Sequence, residues 1–213
     1  MSQKTVFFDL DGTLTDSGEG IMNCAELAIR HFHLPVPPLS VMKSFVGPPL
    51  RDSFLRVGVK EEDVEEAVAV FRSRYTTVGI YENHPYPGVE KMLQTLKSRG
   101  HTLYVATSKP EPMALEVLRH FGLRSYFDLV CGATLDGSRD TKSDVITYLL
   151  KTVSKTDATL MVGDTEFDVL GAASHGIPTI GVTWGYGSEA SIARAGAVSI
   201  AHTMDELVEL IEK

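Results

Sequence analysis

The sequence predicts an α/β protein, in which a doubly wound parallel sheet carries an inserted all-helical domain. Two observations predict the sheet: short apolar runs stop abruptly at polar residues or glycine, and helical patterns alternate with them along most of the chain. A third observation predicts the insert, because residues 16–83 interrupt this alternation with helical patterns and almost no strand candidate.

Continuous apolar runs identify the strands of the predicted sheet. The clearest runs are residues 6–8, 103–106 and 160–162. Their length and unbroken hydrophobicity are typical of strands that are covered on both faces. Further candidates are residues 178–182, 129–130 and 198–200.

Helical patterns lie between these strand candidates. Apolar residues recur at helical spacing within residues 89–96, 113–121, 145–150 and 207–211. Gly100 and Gly122 follow the first two patterns, where glycine commonly ends a helix. The alternation of helix and strand predicts a Rossmann-like core made of residues 1–15 and 84–213.

Residues 16–83 form the predicted helical insert. One apolar helix face runs from Ile21 to Phe32, and another runs from Val64 to Tyr75. Proline-rich turns separate the two faces. We therefore expect the chain to leave the core after the first strand and to return to it near residue 84.

Composition and charge exclude several function classes. Of the 213 residues 43% are hydrophobic and 23% charged, with a formal net charge of −8 and no basic run, so a nucleic acid polymer is not an expected partner. No apolar stretch approaches the roughly 20 residues that cross a bilayer, and the N-terminal residues lack the pattern of a signal peptide. Cys24 and Cys131 form no metal-binding or disulfide pattern. We therefore expect a cytoplasmic protein with no membrane partner.

The strongest functional signal is the run Asp9-Leu10-Asp11-Gly12-Thr13, directly after the first predicted strand. Ligands of doubly wound sheets bind beyond the carboxyl ends of the strands. Two carboxylates at this edge can divide the chemistry, one as nucleophile or metal ligand and the other as proton donor. Thr13 is placed to hydrogen-bond to a phosphate oxygen or to Asp9. The simpler interpretation is a turn in which Asp and Gly satisfy the backbone.

Polar residues also follow the other predicted strands. Thr107 and Ser108 follow the second strand, where a helix start would offer a hydroxyl and free N–H groups to phosphate. Lys142 lies just before a helix and could neutralise phosphate or the Asp9 carboxylate. Asp164 and Asp168 lie on one side if a helix begins there. Taken singly, each residue has an ordinary structural explanation, but together they indicate a phosphate site.

With these residues the chain resembles the haloacid dehalogenase superfamily, in the phosphatase branch that carries a helical cap after the first motif. The matching residues are Asp9-x-Asp11-x-Thr13, then Thr107, then Lys142, and finally Gly163-Asp164-x-x-x-Asp168. One departure is Ser143, which stands where a proline often follows the lysine. Within the branch the chain is similar to phosphoglycolate phosphatases and bacterial 5′-nucleotidase-like proteins.

The resemblance implies a catalytic role for each matching acid. Asp9 would be the nucleophile that forms an aspartyl-phosphate, and Asp11 would be the general acid and later the general base. Mg²⁺ would bind the Asp9 carboxylate, the Asp11 backbone carbonyl and the Asp164 carboxylate. Asp168 would complete the metal site by orienting Lys142 or a metal-bound water. By the same resemblance, an acid at position 11 argues against dehalogenase and phosphonatase chemistry.

The insert would then close over the phosphate and contact the leaving group. Residues 45–51 resemble the cap loop of related phosphatases, which makes Gly47 and Arg51 candidate substrate contacts, although Arg51 is as readily explained as a surface residue. Lys109 is a candidate at the mouth of the site. Residues 184–187, the run Trp-Gly-Tyr-Gly, are interpreted as a turn supported by aromatic packing.

The expected substrate is a small phosphorylated metabolite, either phosphoglycolate-like or a nucleoside 5′-monophosphate. One alternative is a phosphomutase, which shares Asp9 and Asp11 but returns the phosphoryl group to its substrate. Another is a non-catalytic phosphate-binding regulatory module. The pattern does not distinguish a monomer from a homodimer.

Overall fold

A parallel sheet of six strands lies at the centre of the computed structural model, which describes residues 3–213. In chain order the strands are β1 (Thr5–Phe8), β2 (Thr15–Asp16), β3 (His84–Pro85), β4 (Thr102–Pro110), β5 (Leu129–Ala133), β6 (Thr159–Gly163), β7 (Thr179–Val182) and β8 (Ser199–Ala201). The sheet has the order β5-β4-β1-β6-β7-β8, with every pair parallel. The predicted fold class is confirmed.

Helices connect these strands and also form the insert. In chain order they are α1 (Gly18–His31), α2 (Leu39–Lys43), α3 (Leu50–Arg56), α4 (Val64–Tyr75), α5 (Val89–Ser98), α6 (Glu111–His120), α7 (Lys142–Leu149), α8 (Glu166–Ala173), α9 (Glu189–Ala195) and α10 (Met204–Glu212). Among the residues from 3 to 213, every helix is too short or too polar to cross a bilayer.

The two faces of the sheet bury different side chains. Val6 and Phe8 of β1 point into one apolar cluster, which also includes residues of α5, α6 and α10. Phe7, between them, points into a second cluster that contains Val145 of α7 and Ala172 of α8. Because neighbouring side chains of a strand point to opposite faces, a run of three apolar residues requires helices on both sides.

The strand register aligns the predicted site residues along one edge. Phe8 is paired with Val105 of β4 on one side and with Val162 of β6 on the other. The Asp9 N–H, one residue further, donates to the Val162 carbonyl at 2.9 Å. Asp164 directly follows β6 at the same edge of the sheet. Residues far apart in sequence therefore meet where β1, β4 and β6 end.

The predicted helix start at Thr107 is wrong. β4 continues to Pro110, and α6 begins at Glu111. Pairing with β5 extends from Thr107 opposite Gly132 to Pro110 opposite Ala133, with an irregularity between them. A residue before proline avoids helical backbone angles, which explains why the strand persists to this position.

Residues between β2 and β3 form the helices α1 to α4, with α1 packed against α4. β2 and β3 pair antiparallel, with Thr15 opposite Pro85 and Asp16 opposite His84. We call these two strands together with Gly18 the hinge, because the chain passes through them on its way into and out of the helical insert. Of the boundaries predicted for the insert, residue 16 lies in β2 and residue 83 directly precedes β3; both boundaries remain a prediction.

Candidate active site

Lys142 connects two of the predicted site acids. Its Nζ lies 2.8 Å from Asp9 Oδ1 and 2.8 Å from Asp168 Oδ1, and it donates to the Ala106 carbonyl at 2.8 Å. Lys142 and both acids are buried. One hydrogen bond and two ion pairs therefore hold the buried ammonium in position.

α7 positions this lysine at its first residue. The Thr141 hydroxyl accepts from the Asp144 N–H, while the Asp144 carboxylate accepts from the Thr141 N–H at 3.1 Å. This reciprocal capping satisfies donors that the first helical turn leaves free. The lysine side chain is thereby directed from α7 towards the edge of the sheet.

Three acids form a buried cluster beside Lys142. One carboxylate oxygen from each of Asp9, Asp164 and Asp168 lies within 4.8 Å of the others. Burial raises the pKa of Asp9 to about 6, although Lys142 opposes the change. Burial, together with the charges of Asp168 and Asp9, raises the pKa of Asp164 well above its usual range. Such a cluster fits a hard divalent cation, which prefers oxygen ligands and would offset the repulsion.

Both oxygens of the Asp164 carboxylate have hydrogen-bond donors. The Thr13 hydroxyl donates to Oδ1 at 3.1 Å, and the Tyr186 N–H donates to Oδ2 at 2.8 Å. One of the two roles predicted for Thr13 was a hydrogen bond to Asp9. In the structure its hydroxyl donates to Asp164 instead. A Cβ atom at Gly12 or at Gly185 would collide with this carboxylate, so glycine is needed at both positions.

Asp168 is held differently from the other acids of the cluster. Its Oδ2 accepts from the Thr165 N–H at 3.1 Å and from the Thr165 hydroxyl at 2.9 Å, at the start of α8. Its Oδ1 faces Lys142. Because this oxygen forms an ion pair with the Lys142 ammonium, Asp168 is placed to orient that lysine.

Asp11 stands apart from the acid cluster and pairs with Lys109. The Lys109 Nζ donates to the two Asp11 carboxylate oxygens at 2.8 and 2.7 Å and lies 4.9 Å from the centre of the Tyr75 ring. Burial alone would lower the pKa of Lys109, but the Asp11 carboxylate outweighs it and the pKa is raised. Tyr75 belongs to α4, so this buried ion pair lies where the insert meets the sheet edge.

A cavity of about 200 Å³ opens between the sheet edge and the insert. The sheet side contributes the predicted residues Asp9, Asp11, Thr107, Ser108 and Lys109. The insert contributes the predicted residues Gly47 and Arg51, and also Phe45, Leu50, Phe71, Arg72 and Tyr75. The wall opposite the acids is therefore largely apolar and aromatic.

Two arginines and one glycine mark the insert side of the cavity. Arg51 forms ion pairs with Glu61 and with Glu65, as a surface residue would. It also lines the cavity, as a substrate contact would. Arg72 Nη1 donates to the Leu135 carbonyl at 3.1 Å and links α4 to the loop after β5. Gly47 has φ of +108°, which explains the glycine in this loop.

Residues 184–187 take a larger part in the site than the sequence interpretation suggested. The Trp184 indole N–H donates to the Thr13 carbonyl at 3.0 Å, in addition to the bond from Tyr186 to Asp164. Gly185 and Gly187, in the loop that follows β7 at the edge of the sheet that carries the acids, were the signal for such a close approach.

The comparison with protein families decides the classification. The model described as haloacid dehalogenase-like hydrolase matches residues 6–182, which is most of the chain. The chain belongs to the haloacid dehalogenase-like hydrolase family. The predicted resemblance is confirmed.

Curated relatives of this chain have several names. "Tyrosine-protein kinase PtkA" of Mycobacterium tuberculosis is 41% identical over 99% of this chain and 73% of its own length. A 5′-nucleotidase of Pseudomonas aeruginosa is 42% identical over 86% of this chain and 84% of its own length. A phosphoglycolate phosphatase of Neisseria meningitidis is 30% identical over 98% of this chain and 92% of its own length.

A solved structure agrees with this classification. The crystal structure of a predicted phosphatase from Clostridium acetobutylicum is 42% identical, covers 99% of both chains and has a TM-score of 0.95. Together with the names of the relatives, it confirms the predicted enzyme class, a phosphatase. The haloacid dehalogenase-like chain thus carries its acids on the same fold as this predicted phosphatase.

Proposed function

We propose that the chain is a Mg²⁺-dependent phosphomonoester hydrolase that forms an aspartyl-phosphate on Asp9. The observation that carries this proposal is the cluster of Asp9, Asp164 and Asp168, whose buried carboxylates converge beside Lys142. Buried like charges at this separation are unfavourable unless cations offset them. The cluster is therefore best explained as a site for a cation and a phosphate.

The residues of the cluster fit Mg²⁺. The Asp9 and Asp164 carboxylates and the Asp11 backbone carbonyl would hold the ion, and Asp168 would act through Lys142. The bound ion would neutralise charge on the phosphoryl oxygens. Mg²⁺ keeps several waters and needs few carboxylates, which agrees with this small donor set.

The side chains divide the reaction into two steps. An Asp9 carboxylate oxygen attacks phosphorus, the P–O bond to the leaving group breaks, and Asp11 gives its proton to the leaving oxygen. Water then attacks the phosphorus of the aspartyl-phosphate, Asp11 takes a proton from that water, and the P–O bond to Asp9 breaks. Phosphate leaves, and Asp9 is regenerated as a carboxylate.

Lys109 and the residues beside it would bind the phosphate during these steps. Without substrate the Lys109 ammonium is paired with Asp11. An incoming phosphate would compete for this ammonium and free the Asp11 carboxyl group to receive and donate protons. Thr107 and Ser108 line the same cavity and would add hydrogen bonds to the phosphate.

The proposed substrate is a small phosphorylated metabolite, either phosphoglycolate-like or a nucleoside 5′-monophosphate. Relatives named phosphoglycolate phosphatase and 5′-nucleotidase support both classes. Phe45, Phe71 and Tyr75 in the cavity wall favour a leaving group with a planar apolar face.

The nucleophile is tested by the substitution Asp9→Asn. Hydrolysis of a generic aryl phosphate should require Mg²⁺ in the native chain and should fall by at least about 10⁴-fold in the variant. Mass spectrometry of the rapidly quenched native enzyme should find a phosphoryl group on the peptide that contains Asp9. Asp205→Asn, which changes an exposed acid of α10, is the matched control. Unchanged turnover in Asp9→Asn would remove the nucleophile from the proposal.

The substrate class is tested by comparing kcat/KM across a panel. The panel contains phosphoglycolate, nucleoside monophosphates, sugar phosphates and pyrophosphate, and also phosphotyrosine because one relative is named a tyrosine kinase. We expect the highest kcat/KM for a nucleoside monophosphate or phosphoglycolate. A sugar phosphate that is isomerised without release of phosphate would instead identify a phosphomutase.

A further inference from the structure

We propose that Tyr186 is a positioning residue that couples the hinge to the Asp164 carboxylate, so that metal binding and the orientation of the helical insert influence each other. The inference rests on the proposed function, because it takes Asp164 as a ligand of Mg²⁺. Tyr186 does not line the cavity; it contacts Asp164, and its effect would pass through that carboxylate.

The backbone of Tyr186 lies directly against the metal-site residue. Its N–H donates to Asp164 Oδ2 at 2.8 Å. The glycines on either side leave no space between this loop and Asp164: a Cβ at Gly185 would collide with the carboxylate, and one at Gly187 with the backbone carbonyl. A shift of the loop must therefore move the carboxylate or break its hydrogen bond.

The side chain of the same residue lies at the hinge. The Tyr186 hydroxyl donates to the Asp16 carboxylate and accepts from the Gly18 N–H at 2.8 Å. Asp16 belongs to β2, opposite His84 of β3, and the His84 Nε2 lies 3.8 Å from Asp16 Oδ2. Gly18 is the first residue of α1. Tyr186 thus contacts Asp164 through its backbone and the hinge through its side chain.

The neighbouring Trp184 provides a second connection to the same carboxylate. Its indole N–H donates to the Thr13 carbonyl at 3.0 Å, and the Thr13 hydroxyl donates to Asp164 Oδ1 at 3.1 Å. The loop therefore holds one Asp164 oxygen directly and the other through Thr13. A ligand whose two oxygens are both fixed by one loop is sensitive to the position of that loop.

The coupling works in both directions. If the insert turns at the hinge, Asp16 and Gly18 move, and the Tyr186 hydroxyl either follows them or loses both partners. If Mg²⁺ fixes Asp164, the loop and its tyrosine are fixed as well, and the hinge gains a stable hydrogen-bond partner. Linkage requires the two effects to be equal in free energy.

Tyr186→Phe tests the coupling because it removes only the hydroxyl. Mg²⁺ alone is the probe: its dissociation constant is measured by calorimetry, and the emission of Trp184, the only tryptophan, reports on the loop. Hydrogen exchange of the peptide that contains Gly18 is measured with and without Mg²⁺. In the native chain Mg²⁺ should slow this exchange. In the variant the dissociation constant should rise about tenfold, and the protection of the hinge by Mg²⁺ should disappear.

Tyr126→Phe is the matched control, because the Tyr126 hydroxyl donates to the exposed Glu90 carboxylate at 3.2 Å and lies outside both sites. It should behave as the native chain. Gly18→Ala disturbs the coupling from the hinge side, since a Cβ there would collide with the Tyr186 hydroxyl. It should also weaken Mg²⁺ binding, although residue 18 touches none of the site acids.

The outcomes separate this proposal from the proposed function. Native affinity and equal Mg²⁺ protection of the hinge in Tyr186→Phe would overturn the coupling alone. A native chain that does not bind Mg²⁺ would overturn the metal site and the coupling together. Thermal melting of each variant identifies any loss that arises from unfolding.

Discussion

At the scale of single residues, the site buries the Asp9 carboxyl group, and burial disfavours its ionised form. Asp9 must be ionised to attack phosphorus, yet its burial raises its pKa to about 6, and the attraction of Lys142 does not fully compensate. An acid whose pKa is higher in the folded than in the unfolded chain destabilises the fold once it ionises. Asp9 is therefore expected to lower the stability of the metal-free protein at neutral pH.

Asp9→Asn should accordingly stabilise the metal-free chain at neutral pH. Between about pH 4 and pH 6 the folded chain holds a proton on Asp9 that the unfolded chain has lost, so native stability falls as pH rises through this window. Above about pH 6 the variant should be more stable by roughly 1–3 kcal/mol. Below about pH 4 this difference should vanish. Urea unfolding with a chelator present, repeated across this pH range, measures it.

Asp128→Asn is a control for which the expected change in stability at neutral pH has the opposite sign. Burial alone would raise the pKa of Asp128, but the hydrogen bonds from Lys97 and from the Leu103 N–H, together with the Lys97 charge, outweigh burial and the pKa is lowered. Its ionised form therefore stabilises the fold above the unfolded pKa, and removing the charge should lower stability at neutral pH. If Asp9→Asn also lowers stability there, the buried charge of Asp9 is not a destabilising one.

A site residue can be predicted from sequence when the residues next to it mark its position. Asp9, Asp164 and Lys142 could be predicted because each stands at a strand end or helix start that the apolar pattern marks. The partner of Thr13 and the role of Tyr186 could not be predicted. Both depend on contacts with Asp164, which is remote in sequence, and only packing creates those contacts.

At the scale of elements, the site depends on where helices begin. Lys142 is the first residue of α7, which opens with a reciprocal capping interaction. Asp168 lies in the first turn of α8, where its carboxylate accepts from the Thr165 N–H. The cap of α7 fixes the direction in which Lys142 leaves the backbone. Catalysis should therefore be sensitive to a cap that touches no substrate.

Thr141→Ala removes this cap and should lower both stability and activity. Loss of a threonine cap costs about 1 kcal/mol, which corresponds to roughly 2–4 °C in Tm for a chain of this size. Because Lys142 follows directly, kcat should fall as well. Thr203→Ala removes the equivalent cap of α10, where the Thr203 hydroxyl accepts from the Glu206 N–H at 3.1 Å. It should lower Tm similarly and leave kcat unchanged; equal kcat in both variants would disconnect the cap from catalysis.

The sequence predicts long elements better than short ones. The periodic stripes of α1, α4, α5 and α10 are long enough to identify, whereas α2, α3 and α9 span only five to seven residues and escape detection. The end of β4 was missed because pairing with β5 continues past the last apolar residue. Tertiary pairing thus sets the boundary there.

At the scale of the whole molecule, the cavity exists only where two parts of the chain meet. Its acids come from the sheet edge, and its aromatic wall comes from the insert. The contact of Arg72 with the Leu135 carbonyl joins the two sides. No local pattern indicates which residues of the insert face the acids, so the sequence predicted Gly47 and Arg51 at the cavity but not its aromatic wall.

Metal binding should stabilise the whole fold, because Mg²⁺ offsets the repulsion among Asp9, Asp164 and Asp168 that the folded state alone creates. At a concentration one hundred times its dissociation constant, a ligand adds about 2.7 kcal/mol, or roughly 5–10 °C in Tm. Thermal melts with Mg²⁺ and with a chelator measure this. Asp164→Asn should lose most of the gain, whereas Asp205→Asn should retain it. An equal gain in both variants would place the stabilising ion away from the three-acid cluster.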